Sequence, residues 1–125
     1  MSLIDRLKRV WDAVYDPNRD VVEVIETYFH PDYKQCINGV VMHRDEYIDH
    51  VIAQKENMTV EKIDYLQAIE HRDRLFALYM PKGKKRDGTP IEAEVVSYFR
   101  FLNDKIVEVH GQVRLLTGNP VDVDM

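Results

Sequence analysis

The sequence predicts an α+β domain: a strongly curved, mixed or antiparallel sheet wrapped around three N-terminal helices. Two observations carry that expectation. Between Thr89 and Leu116, two long segments alternate with period two on either side of Asn103-Asp104, the signature of an amphipathic hairpin. Up to Asn57, in contrast, apolar residues recur at helical spacing and are interrupted by Asp16-Pro17-Asn18 and His30-Pro31-Asp32. A ribbon with one apolar face must bury it, and the helices are the available cover.

Ser2 is placed to cap a first helix in which Leu3, Ile4, Leu7, Val10, Trp11 and Val14 share a face, ending near Tyr15. A second helix is expected from about Arg19 to Phe29, where Val21, Val22, Val24, Ile25, Tyr28 and Phe29 give a broad apolar surface. A short strand, Tyr33 to Ile37, then reaches the turn at Asn38-Gly39. A third helix spans about Arg44 to Asn57, with Tyr47, Ile48, Val51 and Ile52 on one stripe and His43 and Asp45 as capping and dipole groups. Four strands in meander order follow: about Thr59 to His71, Leu75 to Lys82, Thr89 to Leu102 and Lys105 to Leu116. Arg72-Asp73 and Asn103-Asp104 make tight connections, whereas Lys82 to Thr89 reads as a longer tip turned at Asp87-Gly88 and carrying Lys82, Lys84, Lys85 and Arg86. Residues 1–118 thus form a single domain, and residues 119–125 a frayed tail.

Composition narrows the function classes. The chain has 125 residues, 45% of them hydrophobic and 31% charged, which suits one globular domain with a real core. A net charge of −5 opposes non-specific binding to nucleic acid or to an anionic membrane, because phosphate attraction needs a cationic surface. The lone Cys36 cannot close an internal disulfide, and the first ten residues lack the apolar core of a signal peptide, so a cytoplasmic setting is expected. His30, His43, His50, His71 and His110 show no metal-ligand spacing with carboxylates, and no Gly-rich phosphate loop or nucleophile elbow occurs. Neither a metal nor a cofactor is expected.

The faces of the terminal hairpin differ in character. Ala93, Val95, Ser97, Phe99 and Phe101 share a row with Val107, Val109, Gly111, Val113 and Leu115, and the glycine leaves room beside Ser97. The opposite face carries Glu92, Glu94, Val96, Tyr98, Arg100, Glu108, His110, Gln112 and Arg114, a mixture suited to a two-fold subunit contact. His110 alternates onto that polar face, which makes it a surface or interface residue before a general base. Cys36 reads as a packed thiol and the basic tip as a solvated loop, with a flap over an anionic ligand or partner as its alternative.

Two segments carry a family resemblance: Tyr28-Phe29-His30-Pro31-Asp32-Tyr33-Lys34-Gln35 with Asn38-Gly39, and Ser97-Tyr98-Phe99-Arg100-Phe101 through Lys105-Ile106-Val107-Glu108-Val109. The chain resembles the nuclear transport factor 2-like superfamily, with its cone-shaped, cystatin-like fold, and within it the SnoaL-like polyketide cyclases. That resemblance implies a cavity walled by Trp11, Tyr15, Tyr33, Gln35, Ile37, Ser97, Phe99, Gly111 and Val113, apolar with a few orienting polar groups. It also implies a homodimer through Glu94, Tyr98, Arg100, His110, Gln112 and Arg114. The ketosteroid isomerases of the superfamily use an aspartate base and a tyrosine–aspartate oxyanion hole. Their base falls here near Ile37 or Asn38, the oxyanion aspartate at Ser97 and the tyrosine near Trp11, while the tryptophan–aspartate pair of the cyclases becomes His110-Gly111. No catalytic carboxylate is retained, so binding of a small apolar molecule bearing a carbonyl or hydroxyl is the leading expectation. An isomerase, cyclase or hydro-lyase working by electrostatic positioning is the alternative, and a protein-interaction module with a filled cone is the second.

Overall fold

The computed structural model describes residues 1–117, so the predicted tail 119–125 lies outside the described residues. Helix α1 (Leu3–Val14) starts where the Ser2 hydroxyl accepts from the Asp5 amide, and α2 (Val21–Tyr28) where the Asp20 carboxylate accepts from the Glu23 amide. The second cap explains why α2 begins two residues later than periodicity predicts: Asp20 spends its side chain on an orphan amide and therefore stays extended. α2 stops at Tyr28 because strand β1 (Phe29–Ile37) begins at once, earlier than expected, and His30, preceding proline, is held extended.

Strand β2 (Val40–His43) was not anticipated: it is four residues long, mostly exposed and without alternation, so nothing in its pattern marks it. The turn before it is of the left-handed kind, with Asn38 at φ 51° and Gly39 at φ 81°, matching the twist of a two-residue hairpin. Helix α3 (Arg44–Asn57) follows directly, its first turn closed by Glu46 accepting from the His43 amide.

Strands β3 (Met58–His71), β4 (Arg74–Lys85), β5 (Pro90–Leu102) and β6 (Lys105–Thr117) form the long meander. The basic tip is shorter than expected, because β4 continues to Lys85 and Lys82 sits within the sheet, 3.1 Å from an Asp64 carboxylate oxygen. Sheet order is β2-β1-β6-β5-β4-β3, with β1 parallel to β6 and the other neighbours antiparallel. Register shifts interrupt β1–β6, β3–β4 and β5–β6, and such bulges bend the strands around the helices.

The predicted parity of the terminal ribbon holds. Ile91, Ala93, Val95, Ser97, Phe99 and Phe101 of β5 and Val109 and Gly111 of β6 are buried, while Glu108, His110, Gln112 and Arg114 are exposed. α1 packs on β3 and β4, α2 on β1 and β6, and α3 on β1, β2 and β3. Leu7, Ile25, Phe29, Leu75, Phe99 and Ile106 are wholly enclosed, each gaining roughly 1.5–3 kcal/mol from burial. These inward rows hold the helical cover in place and so determine what lines the interior.

Candidate functional site: the tyrosine-rich interior

Among the expected wall residues, Trp11, Tyr15, Tyr33, Gln35, Ile37, Ser97, Phe99 and Gly111 are buried, and Val113 is half-buried. Parallel pairing of β1 with β6 sets Ile37 beside Gly111, and antiparallel pairing sets Ser97 opposite the same glycine. The room expected at Gly111 is already taken. A Cβ there would lie 2.5 Å from the Ser97 oxygen and 2.8 Å from its Cβ, so the missing side chain is what lets Ser97 point inward. The Ser97 hydroxyl makes only a long contact, 3.5 Å, donating to the His110 carbonyl.

The base position of the isomerases is closed in a different way. Asn38 stands in the exposed turn, where its side-chain amide donates to the Val113 carbonyl at 3.1 Å and its side-chain oxygen accepts from the Val113 amide at 2.8 Å. Both polar ends of Asn38 are thereby used to pin the β1–β2 turn to β6. His110 points to the outer face opposite Tyr98, with Cys36 of β1 on its other side.

Inside the cone, the Tyr33 hydroxyl donates to the Gln35 amide oxygen at 2.8 Å, with both residues almost fully enclosed. The Tyr15 hydroxyl makes a weaker contact of 3.4 Å to the side-chain oxygen of Gln54. Tyr47 and Tyr79 complete the set: the Tyr33 and Tyr47 ring centroids are 5.4 Å apart, and Tyr79 lies 6.4 Å from Phe99. Burial raises the pKa of Tyr15, Tyr33, Tyr47 and Tyr79 well above the ordinary tyrosine value, and each is raised further by neighbouring tyrosines. All four are neutral hydrogen-bond donors near neutral pH and none is a base.

Tyr47, Tyr65, Tyr79 and Gln54 were not picked out as site residues from sequence, although a signal existed. Tyr47 lies on the apolar stripe of α3, and Tyr79 continues the inward row Leu75, Ala77 of β4, so each hydroxyl enters a core where it needs a partner. Two clefts reach this interior from outside. One of about 200 Å³ is lined by Tyr15, Pro17, Val21, Ile52, Lys55 and Arg86 among others. The other, about 180 Å³, runs between α1 and β3, lined by Trp11, Asp12, Tyr15, Asp16, Val60, Glu61, Lys62 and Ile63. Tyr33, Gln35, Ser97, Phe99 and Gly111 are buried and line neither cleft. Among the described residues, no three His, Cys, Asp or Glu side chains gather as a metal site.

The geometry defines an α+β cone with a curved mixed sheet, a helical cover and a polar cluster enclosed between them. No family model matches the chain. An uncharacterized protein of Schizosaccharomyces pombe is 19% identical over 119 residues, covering 95% of this chain and 91% of that one. Among solved structures, IdmH, a candidate polyketide cyclase from Streptomyces antibioticus, superposes with TM-score 0.72 at 13% identity, covering 90% of this chain and 92% of its own. A candidate SnoaL-like polyketide cyclase from Mesorhizobium loti gives 0.62 at 14% identity over 89% and 98%. A nuclear transport factor 2-like protein of unknown function from Exiguobacterium gives 0.70 at 20% identity over 87% and 98%. The chain has the nuclear transport factor 2-like fold. No helix among the described residues is long and apolar enough to cross a membrane.

Proposed function

We propose that this protein binds a small, mostly apolar molecule bearing a carbonyl or hydroxyl group inside the cone, without base catalysis. One observation carries the reading. The described core encloses tyrosine, glutamine and serine side chains, yet no buried aspartate, glutamate, histidine, lysine or arginine. Such an interior can orient a neutral ligand by hydrogen bonds, but it lacks a group able to abstract a proton near neutral pH. The candidate cyclases that share the fold act as analogy for the ligand class and not for a reaction.

Thermal-shift screening against small neutral ketones, lactones and alcohols tests this directly. Compounds that raise the melting temperature are expected, and Tyr15→Leu, at the wall of both clefts, is expected to reduce their effect. If no compound binds, or if every binder is indifferent to Tyr15→Leu, the reading fails.

The outer sheet face carries a second feature of the same proposal, contact with a second copy of the chain. Ile69, Phe76 and Val96 are 72%, 55% and 51% exposed there, and the Phe76 ring lies 5.2 Å from that of Tyr98. Around them Arg114 pairs with Glu94 at 3.5 Å, and the Arg100 Nε is buried without an acceptor. Apolar centre and charged rim are the composition of a subunit interface. Reversing charge at Arg100 and Arg114 together is expected to give monomers by light scattering, and an unchanged dimer would place the contact elsewhere.

A further inference from the structure

Only Arg86 of the basic tip lines the 200 Å³ cleft, where it joins Lys55 of α3. Its place there is fixed by the backbone. The Arg86 amide donates to the Asn57 carbonyl at 3.1 Å, tying the tip to the end of α3, and the turn beyond is closed by the Gly88 amide donating to the Lys85 carbonyl at 3.0 Å. The neighbouring Asp87 carboxylate accepts from the Thr89 amide at 2.9 Å and is held within that turn. Among the described residues, no carboxylate pairs with the Arg86 guanidinium.

The Lys55 ammonium is the second cation. It donates to the Asp16 carbonyl at 2.7 Å and to the Arg19 carbonyl at 3.4 Å, and so straps the α1–α2 connection onto α3. The acids that attract it, Asp16 and Asp20, spend their carboxylates on the amides of Asn18 and Glu23. Burial lowers the Lys55 pKa from its ordinary value in spite of them, so a further anion relieves this ammonium. The walls beside the two cations are apolar, built from Pro17, Val21, Ile52, Met58 and Val60 with Tyr15. Glu56 also lines the cleft, so two cations and one carboxylate leave a single positive charge, on a chain whose net charge is −5.

That charge selects the occupant. A neutral molecule leaves both cations without a counter-ion, an ammonium faces them, and a dianion exceeds the net charge and meets Glu56. A monocarboxylate matches, because a guanidinium fork donates to both of its oxygens at once. The cleft is smaller than the ~300–1,000 Å³ of drug-sized pockets, so the body it holds is a single ring or a short chain. Resting on the ligand-binding reading above, we infer that this cleft takes a small apolar monocarboxylate, its body against Ile52, Met58 and Val60 and its carboxylate at Arg86 and Lys55. The other cleft opposes the same anion, since Asp12, Asp16 and Glu61 line it and its Lys62 is held by the Asp64 carboxylate at 3.2 Å.

Cyclohexanecarboxylate and cyclohexanecarboxamide share a shape and differ in charge. In isotope-labelled protein the methyl resonances of Met58 and Ile52 report on this cleft, and those of Ile63 on the other. At about 0.15 M salt, where distant charges are screened, the carboxylate is expected to shift Met58 and Ile52 saturably. It should bind roughly tenfold more tightly than the amide, the worth of a charge-assisted hydrogen bond. Arg86→Gln is expected to remove most of that preference while leaving amide binding as before. Lys84→Gln, the same loss of charge on the same hairpin but outside the cleft, should leave the preference intact. Both side chains are exposed, so neither change disturbs the fold.

If the amide binds as tightly as the carboxylate, or if the preference survives Arg86→Gln, the acid subsite is overturned and the ligand-binding reading stands. An equal loss in Lys84→Gln also overturns it, because a diffuse field and not Arg86 then attracts the anion. Saturable shifts at Ile63 with none at Met58 and Ile52 place the ligand in the other cleft and overturn it too. No saturable change with either probe would count against subsite and pocket together.

Discussion

The floor of the cone and its mouth are built from similar residues and behave differently. At the floor, Ser97 fills the space left by Gly111, and Tyr33 is matched to Gln35 at 2.8 Å. At the mouth, Trp11 borders a cleft of about 180 Å³, its indole Nε1 buried and without an acceptor. Aromatic content does not separate the two regions. What separates them is whether each enclosed polar atom has found its partner, because an unmatched donor is a standing cost that a ligand can relieve.

The largest test of this contrast is alkaline pH. Tyr15, Tyr33, Tyr47 and Tyr79 have raised folded-state pKa values, owing first to burial, whereas the unfolded chain ionises near 10. The unfolded state therefore loses protons first as pH rises. The stabilisation is complete below about pH 10 and is lost progressively above it, at about 1.4 kcal/mol per tyrosine per pH unit. Cooperative unfolding is expected within about two units above that point, with tyrosinate absorbance and circular dichroism changing together. Tyrosine ionisation well before loss of structure would mean that the interior is open to water.

Next in size is Gly111→Leu. The new side chain meets Ser97 and the Val96 carbonyl at separations no Cβ tolerates, so a loss of roughly 3 kcal/mol or more is expected in urea denaturation. A near-neutral effect would show that the floor has slack and would erase its difference from the mouth. Gln35→Leu leaves the Tyr33 hydroxyl without its acceptor and is expected to cost about 1–3 kcal/mol. Adding Tyr33→Phe should recover part of that loss, and strict additivity of the two changes would deny the pairing. The smallest effect belongs to Ser97→Ala, expected to cost less than about 1 kcal/mol because the hydroxyl's one contact is long.

Legibility followed periodicity. The inward and outward rows of β5 and β6 were readable because every second residue changes character over thirteen positions in each strand. The stripe of α1 was readable for the same reason and that of α3 only in part, since Tyr47 and Val51 are buried but Ile52 is exposed and Gln54 takes a buried place. β2 carried no such signal: Val40 and Val41 are half exposed at a sheet edge, and the strand exists because the Asn38-Gly39 turn folds it back on β1. Among candidate site residues, the parity of Ser97 and Gly111 was legible, but their mutual fit was not. The role of Asn38 as a clamp on Val113 depends on a pairing across 75 residues. The orphan donors of Trp11 and Tyr65 were hidden for a like reason, since an absent partner is a property of the whole neighbourhood.

Local alternation and helical spacing by themselves determined which residues face inward, because the side-chain periods of strands and helices are fixed by backbone geometry. Packing of α1 against β3 and β4 alone decided which of those inward polar atoms would meet one another and which would be left without a partner. Hydrogen bonds require partners within about 3 Å, and only the assembled chain sets distances that fine.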